Sequence, residues 1–315
     1  MALNMNIRKP NVFIVGVPKS GKVSLRYWLS QHPDVYINPI DTDFFSIDVE
    51  GNQHDRISSD EKYIAYFKDA GEKKVILDQV SRSAVSKVAA EKIREFNPYA
   101  KIIIILRNPA EQMFSWHWTL RRIGFETEPD FYKAIKLEEE RKRKNKTGLI
   151  KNYFYKEMAD YYPQVKRYVD IFGKNGVKVI LFDDLGDKED QLKKEKVYYD
   201  LLKFLGLKKF KPDLSREKSG RSQLEPKSQL IVYLFNFFLT LPKPARLFLK
   251  SIIPVKAIAK IRRSAMKEIK EKRKIDPEVK RQINKIFESN LKKLEKLIKK
   301  DLSIWYRAKE ENSST

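Results

Sequence analysis

The sequence predicts an α/β fold: a single domain with a mostly parallel sheet flanked by helices and a P-loop-like nucleotide-binding core. Three observations carry that expectation. Residues 12–15 (VFIV) form a short apolar run, three of its four residues β-branched, which reads as a buried strand. A glycine-bracketed turn follows, Gly16 to Gly21, with Lys19 inside it and Lys22 just beyond. Further apolar runs then alternate with helical patterns. That order builds a parallel sheet covered on both faces, with ligands at the carboxyl ends of its strands.

Taken in order, strands are predicted at residues 12–15, 74–77, 102–106 and 177–182. Helices are predicted at 25–30, 83–96, 110–123, 155–172 and 192–205. Gly16 and Gly21 allow a tight turn and a close backbone approach to a ligand. The helix opened by residues 24–29 directs its unpaired N–H groups into that turn, a geometry that favours phosphate, and Lys19 and Lys22 add charge. Residues 138–146 (EEERKRKNK) read as a mobile surface segment, or as a frame for an anionic acceptor. Residues 229–241 (QLIVYLFNFFLTL) are the most hydrophobic stretch, and Lys243, Arg246, Lys250, Lys256, Arg262 and Arg263 follow it. A buried core helix and a monotopic membrane contact both fit it. Asp276-Pro277-Glu278 is a cap-and-proline helix start, after which Val279, Ile283, Ile286, Leu294 and Leu297 share one packing face.

The loop nearly satisfies the NTPase pattern: Gly16, four residues, Gly21, Lys22. Val23 stands where the magnesium-binding hydroxyl belongs, and Ser24 is one position late. The strand KIIIIL, residues 101–106, ends in Arg107, where an NTPase tends to carry a magnesium-holding Asp. A cation there suits a second phosphate. A P-loop kinase or NTPase remains an alternative, with Asp78 as its magnesium carboxylate. A non-catalytic protein binding anions or a membrane surface is another.

Pro18-Lys19-Ser20-Gly21 followed by Ser24-Leu25 resembles the 5′-phosphosulfate loop of sulfotransferases that use 3′-phosphoadenosine 5′-phosphosulfate (PAPS). Residues 102–123 (IIIILRNPAEQMFSWHWTLRRI) resemble their 3′-phosphate segment: a strand, Arg-Asn-Pro, and a serine eight residues after the arginine. Gln31-His32-Pro33-Asp34-Val35 with Phe44-Phe45 is similar to a stretch of the carbohydrate-type and bacterial members. Residues 177–185 (VKVILFDDL) resemble their late strand with its acidic pair, and residues 301–305 (DLSIW) the end of many bacterial members. The resemblance implies sulfuryl transfer from PAPS, with no metal required, to an acceptor hydroxyl on a carbohydrate or glycolipid.

It also implies roles. Lys19 would stand near the bridging oxygen, and the loop around Pro18, Ser20, Gly21, Lys22, Val23 and Ser24 would hold the 5′-phosphate. Arg107 and Ser115 would take the 3′-phosphate, and Lys218-Ser219-Gly220-Arg221 resembles the loop closing over the cofactor. By their own position, Asp78 and Arg82 follow the second predicted strand and would approach the acceptor, or serve as turn residues. The family commonly has Thr-Thr after the loop glycine; here the pair is Lys22-Val23. Carbohydrate-type members carry a basic glutamate just before Phe-Phe; here the stretch is Asp41-Thr42-Asp43, with Asp41 the first candidate base and Asp43 the second. His32 and His117 read as structural.

Composition bounds the remainder. The chain of 315 residues, 42% hydrophobic, suffices for one domain over 1–310, with a core at about 10–210 and a helical part at about 222–307. It has no cysteine, which fits a reducing, cytoplasmic setting, and its start shows no signal-peptide pattern. A net charge of +23 favours anionic partners, including peripheral contact with an anionic membrane, or reflects a solvated lysine-rich surface. No nucleic-acid-binding motif accompanies it, so nucleic acid is not an expected partner.

Overall fold

The computed structural model describes residues 8–50, 57, 59–185, 190–214, 224–226, 266–268 and 274–307. Five strands, Val12–Val15 (β1), Val35–Ile37 (β2), Val75–Val80 (β3), Lys101–Leu106 (β4) and Val177–Leu181 (β5), form one parallel sheet in the order β2-β3-β1-β4-β5. The register sets Val12 opposite Leu77 on one side and Lys101 on the other. From β1 the chain runs outward to β2 and β3, then crosses to β4 on the far side of β1. The crevice at the carboxyl ends of β1 and β4 is therefore the topological switch point, where open α/β sheets bind ligands.

The helices are Lys22–Ser30 (α1), Asp60–Ile64 (α2), Ala89–Phe96 (α3), Pro109–Ile123 (α4), Phe131–Lys136 (α5), Glu138–Arg143 (α6), Tyr155–Ala159 (α7), Tyr161–Phe172 (α8), Gln191–Leu205 (α9), Pro277–Ile298 (α10) and Ser303–Tyr306 (α11). Leu224–Pro226 and Met266–Glu268 pair as an antiparallel ribbon. Strand alternation divides the core. Phe13, Val15, Ile102 and Ile104 face Met113, Tyr155, Tyr168, Ile283 and Leu294, while Val12, Ile14, Ile103 and Ile105 face Leu25, Trp28, Tyr198 and Leu201. The central strands are thus buried on both faces, as a parallel sheet requires.

Several boundaries differ from expectation. The second predicted strand, 74–77, runs on to Val80, so Asp78 lies inside a strand rather than after it. β2 is not among the predicted strands, because its three residues sit within a polar stretch. The predicted helix 83–96 begins only at Ala89, since Ser86 Oγ accepts from the Ala89 amide at 3.0 Å and stops the helix there. The predicted helix 155–172 is two helices broken at Asp160. Pro163 explains the break: it fits the first turn of a new helix but would strike the preceding turn of a continuous one.

Residues 138–143 are helical, and Glu138 is fully buried, paired with Lys142 at 2.9 Å and accepting from the Lys156 amide at 2.7 Å. The mobile-segment reading therefore gives way to a buried structural carboxylate. Ile286 is 57% exposed, and Phe287 takes the inward position expected of it. The late acidic pair anchors the C-terminal end: Trp305 Nε1 donates to Asp183 at 2.9 Å, and Lys300 pairs with Asp184 at 2.5 Å. Residues 229–241 and the basic residues after them lie outside the described residues. Among the described residues, no helix is long and apolar enough to cross a membrane.

α10 packs on α4 and α8 through the wholly buried Leu294, and Asn284 Oδ1 accepts from the Ala110 amide at 3.3 Å. Leu294→Ala should lower unfolding stability by about 2–5 kcal/mol, read from the denaturant midpoint. A loss below about 1 kcal/mol would show that α10 is not part of the folded core.

Candidate active site

The loop between β1 and α1 is built from unusual backbone. Gly16 has φ 155°, Gly21 φ 106°, and Lys19 holds φ 70°, a left-handed value rare outside glycine. A Cβ on Gly21 would lie 2.7 Å from Phe182 Cδ2, so the close packing of Phe182 requires glycine there. Four successive carbonyls of this loop accept from side chains. Lys22 Nζ donates to Gly16 O at 2.5 Å and Val17 O at 2.7 Å. Gln112 Nε2 donates to Pro18 O at 2.9 Å, and Arg107 Nη1 to Lys19 O at 3.3 Å.

The loop borders a cavity of about 720 Å³ at the switch point. Pro18, Lys19 and Gly21 line it from the loop, and Lys22, Val23 and Ser24 from the first turn of α1. Gln79 and Ser81 come from the end of β3; Arg107, Glu111, Phe114, Ser115, Trp118, Thr119 and Arg122 come from the end of β4 and one face of α4. Phe182 and residues at the start of α10, Lys274, Ile275, Pro277 and Lys280, complete the wall. Ser20 alone of the loop candidates is turned away and fully buried.

Arg107 is held on all sides. Its Nε and Nη2 approach Glu111 Oε2 at 3.4 and 3.2 Å, and its guanidinium lies 4.6 Å from the centre of the Phe182 ring. Lys280 closes on the other oxygen of Glu111 at 2.7 Å. Burial pushes the Glu111 carboxyl up, but Lys280 and Arg107 outweigh it and hold it below the usual range. The result is a fixed guanidinium on the same cavity as Ser115, with α10 tied to it through one carboxylate.

Asp41 sits one hydrogen bond behind the wall, and Asp43 is bound to Arg82, which does not line it. Asp41 Oδ1 accepts from the Ser81 amide at 3.2 Å, and Oδ2 accepts from Gln79 Nε2 at 3.1 Å and from Ser81 Oγ. Asp43 accepts from the Arg82 amide at 3.1 Å and pairs with the Arg82 guanidinium. Burial raises the Asp43 carboxyl and Asp41 adds to that, against the lowering effect of Arg82.

Three expected positions need correction. Asp78 does not approach the cavity: it is wholly buried, accepting from Asn38 Nδ2 at 3.2 Å, Thr42 Oγ1 at 2.9 Å and the Tyr63 hydroxyl at 2.7 Å. Burial pushes its pKa up to about 7 despite those donors. Lys22 reaches the cavity wall, yet its ammonium turns back onto loop carbonyls, because the left-handed residues beside it bring those carbonyls within reach. Arg82 is spent on Asp43 and is not among the lining residues. Lys218, Ser219, Gly220 and Arg221 lie outside the described residues.

His32 bonds backbone groups of Asp34 and Lys208, and buried His117 meets the Glu128 carbonyl, as structural histidines do. Sequence reasoning missed Gln79, Ser81, Glu111 and Phe182. For the α4 wall a signal existed: positions 111, 115, 118 and 122 share one helical face. For Gln79 and Ser81 none did.

Residues 9–295 match the family model described as a sulfotransferase domain, and the chain belongs to that family. A sulfotransferase from Alicyclobacillus acidocaldarius, known from its crystal structure, is 27% identical with a TM-score of 0.69, covering 96% of this chain and 100% of that one. Two bifunctional heparan sulfate N-deacetylase/N-sulfotransferases are each 30% identical, one from Caenorhabditis elegans over 108 residues and one from Caenorhabditis briggsae over 112. These segments are 34% and 35% of this chain but only 12% and 13% of those proteins.

Proposed function

We propose, from that family membership and the geometry of the cavity, that the chain moves a sulfuryl group from PAPS to an acceptor hydroxyl, with a carbohydrate or glycolipid as acceptor. The observation that carries this reading is the convergence of Lys19, Arg107 and Ser115 on one cavity beside a loop whose carbonyls are tied back. The residues present suit a nucleotide with phosphates at both ends of its ribose: amides and lysines at one end, a fixed guanidinium and a hydroxyl at the other. The donor supplies an activated sulfuryl group, whose bond to the 5′-phosphate oxygen breaks as the acceptor oxygen bonds to sulfur.

In this reading the amides of residues 21–24 hold the 5′-phosphate, and Lys19 offsets the charge that grows on it. Arg107 and Ser115 hold the 3′-phosphate. Asp41 takes the acceptor's proton, supported by Gln79 and Ser81, which line the cavity; Asp43 comes second, because its partner Arg82 does not line it. A magnesium-dependent P-loop kinase or NTPase is less well supported, since Asp78 is spent on Asn38, Thr42 and Tyr63 in the core. The heparan sulfate relatives, by their names, support a carbohydrate acceptor.

The direct test supplies PAPS carrying labelled sulfur to panels of glycans and glycolipids, with and without a magnesium chelator. Label should pass to an acceptor equally in both conditions. Release of phosphate from ATP with no transfer of label would contradict the reading. The 3′-phosphate assignment has its own test. Arg107→Ala should weaken adenosine 3′,5′-bisphosphate by about 1.5–3 kcal/mol more than it weakens adenosine 5′-phosphate, whose loop it also holds through Lys19 O, and Ser115→Ala should cost the bisphosphate less while adenosine 5′-phosphate barely changes in calorimetry. Equal losses for both nucleotides would place these residues elsewhere on the ligand.

A further inference from the structure

The geometry points to Lys22 as a positioning residue: its ammonium ties back the carbonyls of Gly16 and Val17, presenting the loop's amides to the donor's 5′-phosphate without touching that phosphate itself. This rests on the donor reading above and deepens it. A lysine directly after the loop glycine would ordinarily be taken as a phosphate ligand. Here its side chain is only 5% exposed, and its Nζ spends two donors on Gly16 O and Val17 O, at 2.5 and 2.7 Å. The next two carbonyls are held by Gln112 and Arg107, so one whole edge of the loop is fixed from behind. In a trans peptide the carbonyl and the following N–H point in opposite directions. The Gly16 O bond therefore orients the Val17 amide and the bonds to Pro18 O and Lys19 O orient those of Lys19 and Ser20, while the bond to Val17 O, ahead of the N–H-less Pro18, holds the turn that leads to the amides of residues 21–24.

The charge around Lys22 fits this role. Burial lowers its pKa to about 8; Asp41 and Asp43 work against that shift, while Arg82 and Lys19 add to it. In the unfolded chain the same lysine keeps its proton up to the ordinary lysine value of 10.5. Between those values the unfolded state binds more protons, so the Lys22 contribution to stability rises with pH. Anion holding changes in the opposite sense, because the loop loses its internal cation. A residue that only filled space would move neither.

The test uses the whole chain with Lys22→Met, Lys22→Gln and Lys22→Arg. Adenosine 3′,5′-bisphosphate and adenosine 3′-phosphate are titrated calorimetrically from about pH 7 to 9.5, bracketing the lowered pKa. Amide exchange of residues 16–22 is followed without nucleotide. Lys22→Met should weaken the bisphosphate about tenfold or more, since charge-assisted hydrogen bonds are lost. Lys22→Gln should lie between it and wild type, Lys22→Arg should retain most of the affinity, and adenosine 3′-phosphate should change little.

Wild-type affinity should fall as pH passes about 8, while that of Lys22→Met stays flat. The wild type should also gain melting temperature relative to Lys22→Met over the same range. Loop amides should exchange faster in unliganded Lys22→Met. Unchanged exchange together with lost affinity would make Lys22 a direct phosphate ligand and overturn the proposal, as would unchanged affinity and pH profile. If wild type does not bind the bisphosphate at all, the donor reading fails, and the exchange comparison still decides whether Lys22 positions the loop.

Discussion

Four consecutive backbone carbonyls, from Gly16 to Lys19, accept hydrogen bonds from the side chains of Lys22, Gln112 and Arg107, and the placement of the other cavity elements follows from those bonds. The donors come from α1, α4 and the end of β4, so the loop is fixed by the elements that flank the switch point. Arg107 is the joint between them. Its bond to Lys19 O, its pair with Glu111 and its stacking on Phe182 link the loop to α10 and to the end of β5. Phe182 in turn packs where a side chain on Gly21 would otherwise stand. A backbone shift in the loop would therefore be felt at each of these contacts, because packed interiors transmit displacement rather than absorb it.

The same region concentrates buried charge. Lys22 is surrounded by the fields of Asp41, Asp43, Arg82 and Lys19, and Asp41 also acts on the buried Asp78, which is engaged by Asn38, Thr42 and Tyr63. Thr42 stands between the two candidate bases, so its bond to Asp78 fixes the segment that carries both. Asp43 adopts φ 46°, a left-handed backbone that local preference would not hold unaided. Asp43 is paired with Arg82, and Asp41, Asp78 and Lys22 are hydrogen-bonded, which is the condition under which buried ionic groups are tolerated. Removing one partner would leave the others desolvated and unpaired.

The fold was legible because its signals are local. Residues 12–15 and 101–106 are apolar runs bounded by turn residues, and the glycine-lysine loop between β1 and α1 stands out within a dozen residues. What was not legible depends on partners far away in the chain. Asp78 reads as the end of a strand; only Asn38, Thr42 and Tyr63 reveal it as an internal anchor. Glu138 reads as one charge in a solvated run until Lys142 and the Lys156 amide enclose it. Lys22 was misread in direction rather than in place: its position is set by sequence, whereas the path of its side chain is set by the left-handed backbone of Lys19 and Gly21.

A crystal structure with adenosine 3′,5′-bisphosphate bound tests the central claim most directly. The 5′-phosphate should lie within about 3 Å of backbone amides among residues 19–24, while Lys22 Nζ stays on Gly16 O and Val17 O. Arg107 and Ser115 should meet the phosphate at the other end of the ribose. A Lys22 ammonium swung onto the phosphate, with the two carbonyls released, would contradict the claim that the loop is held from behind.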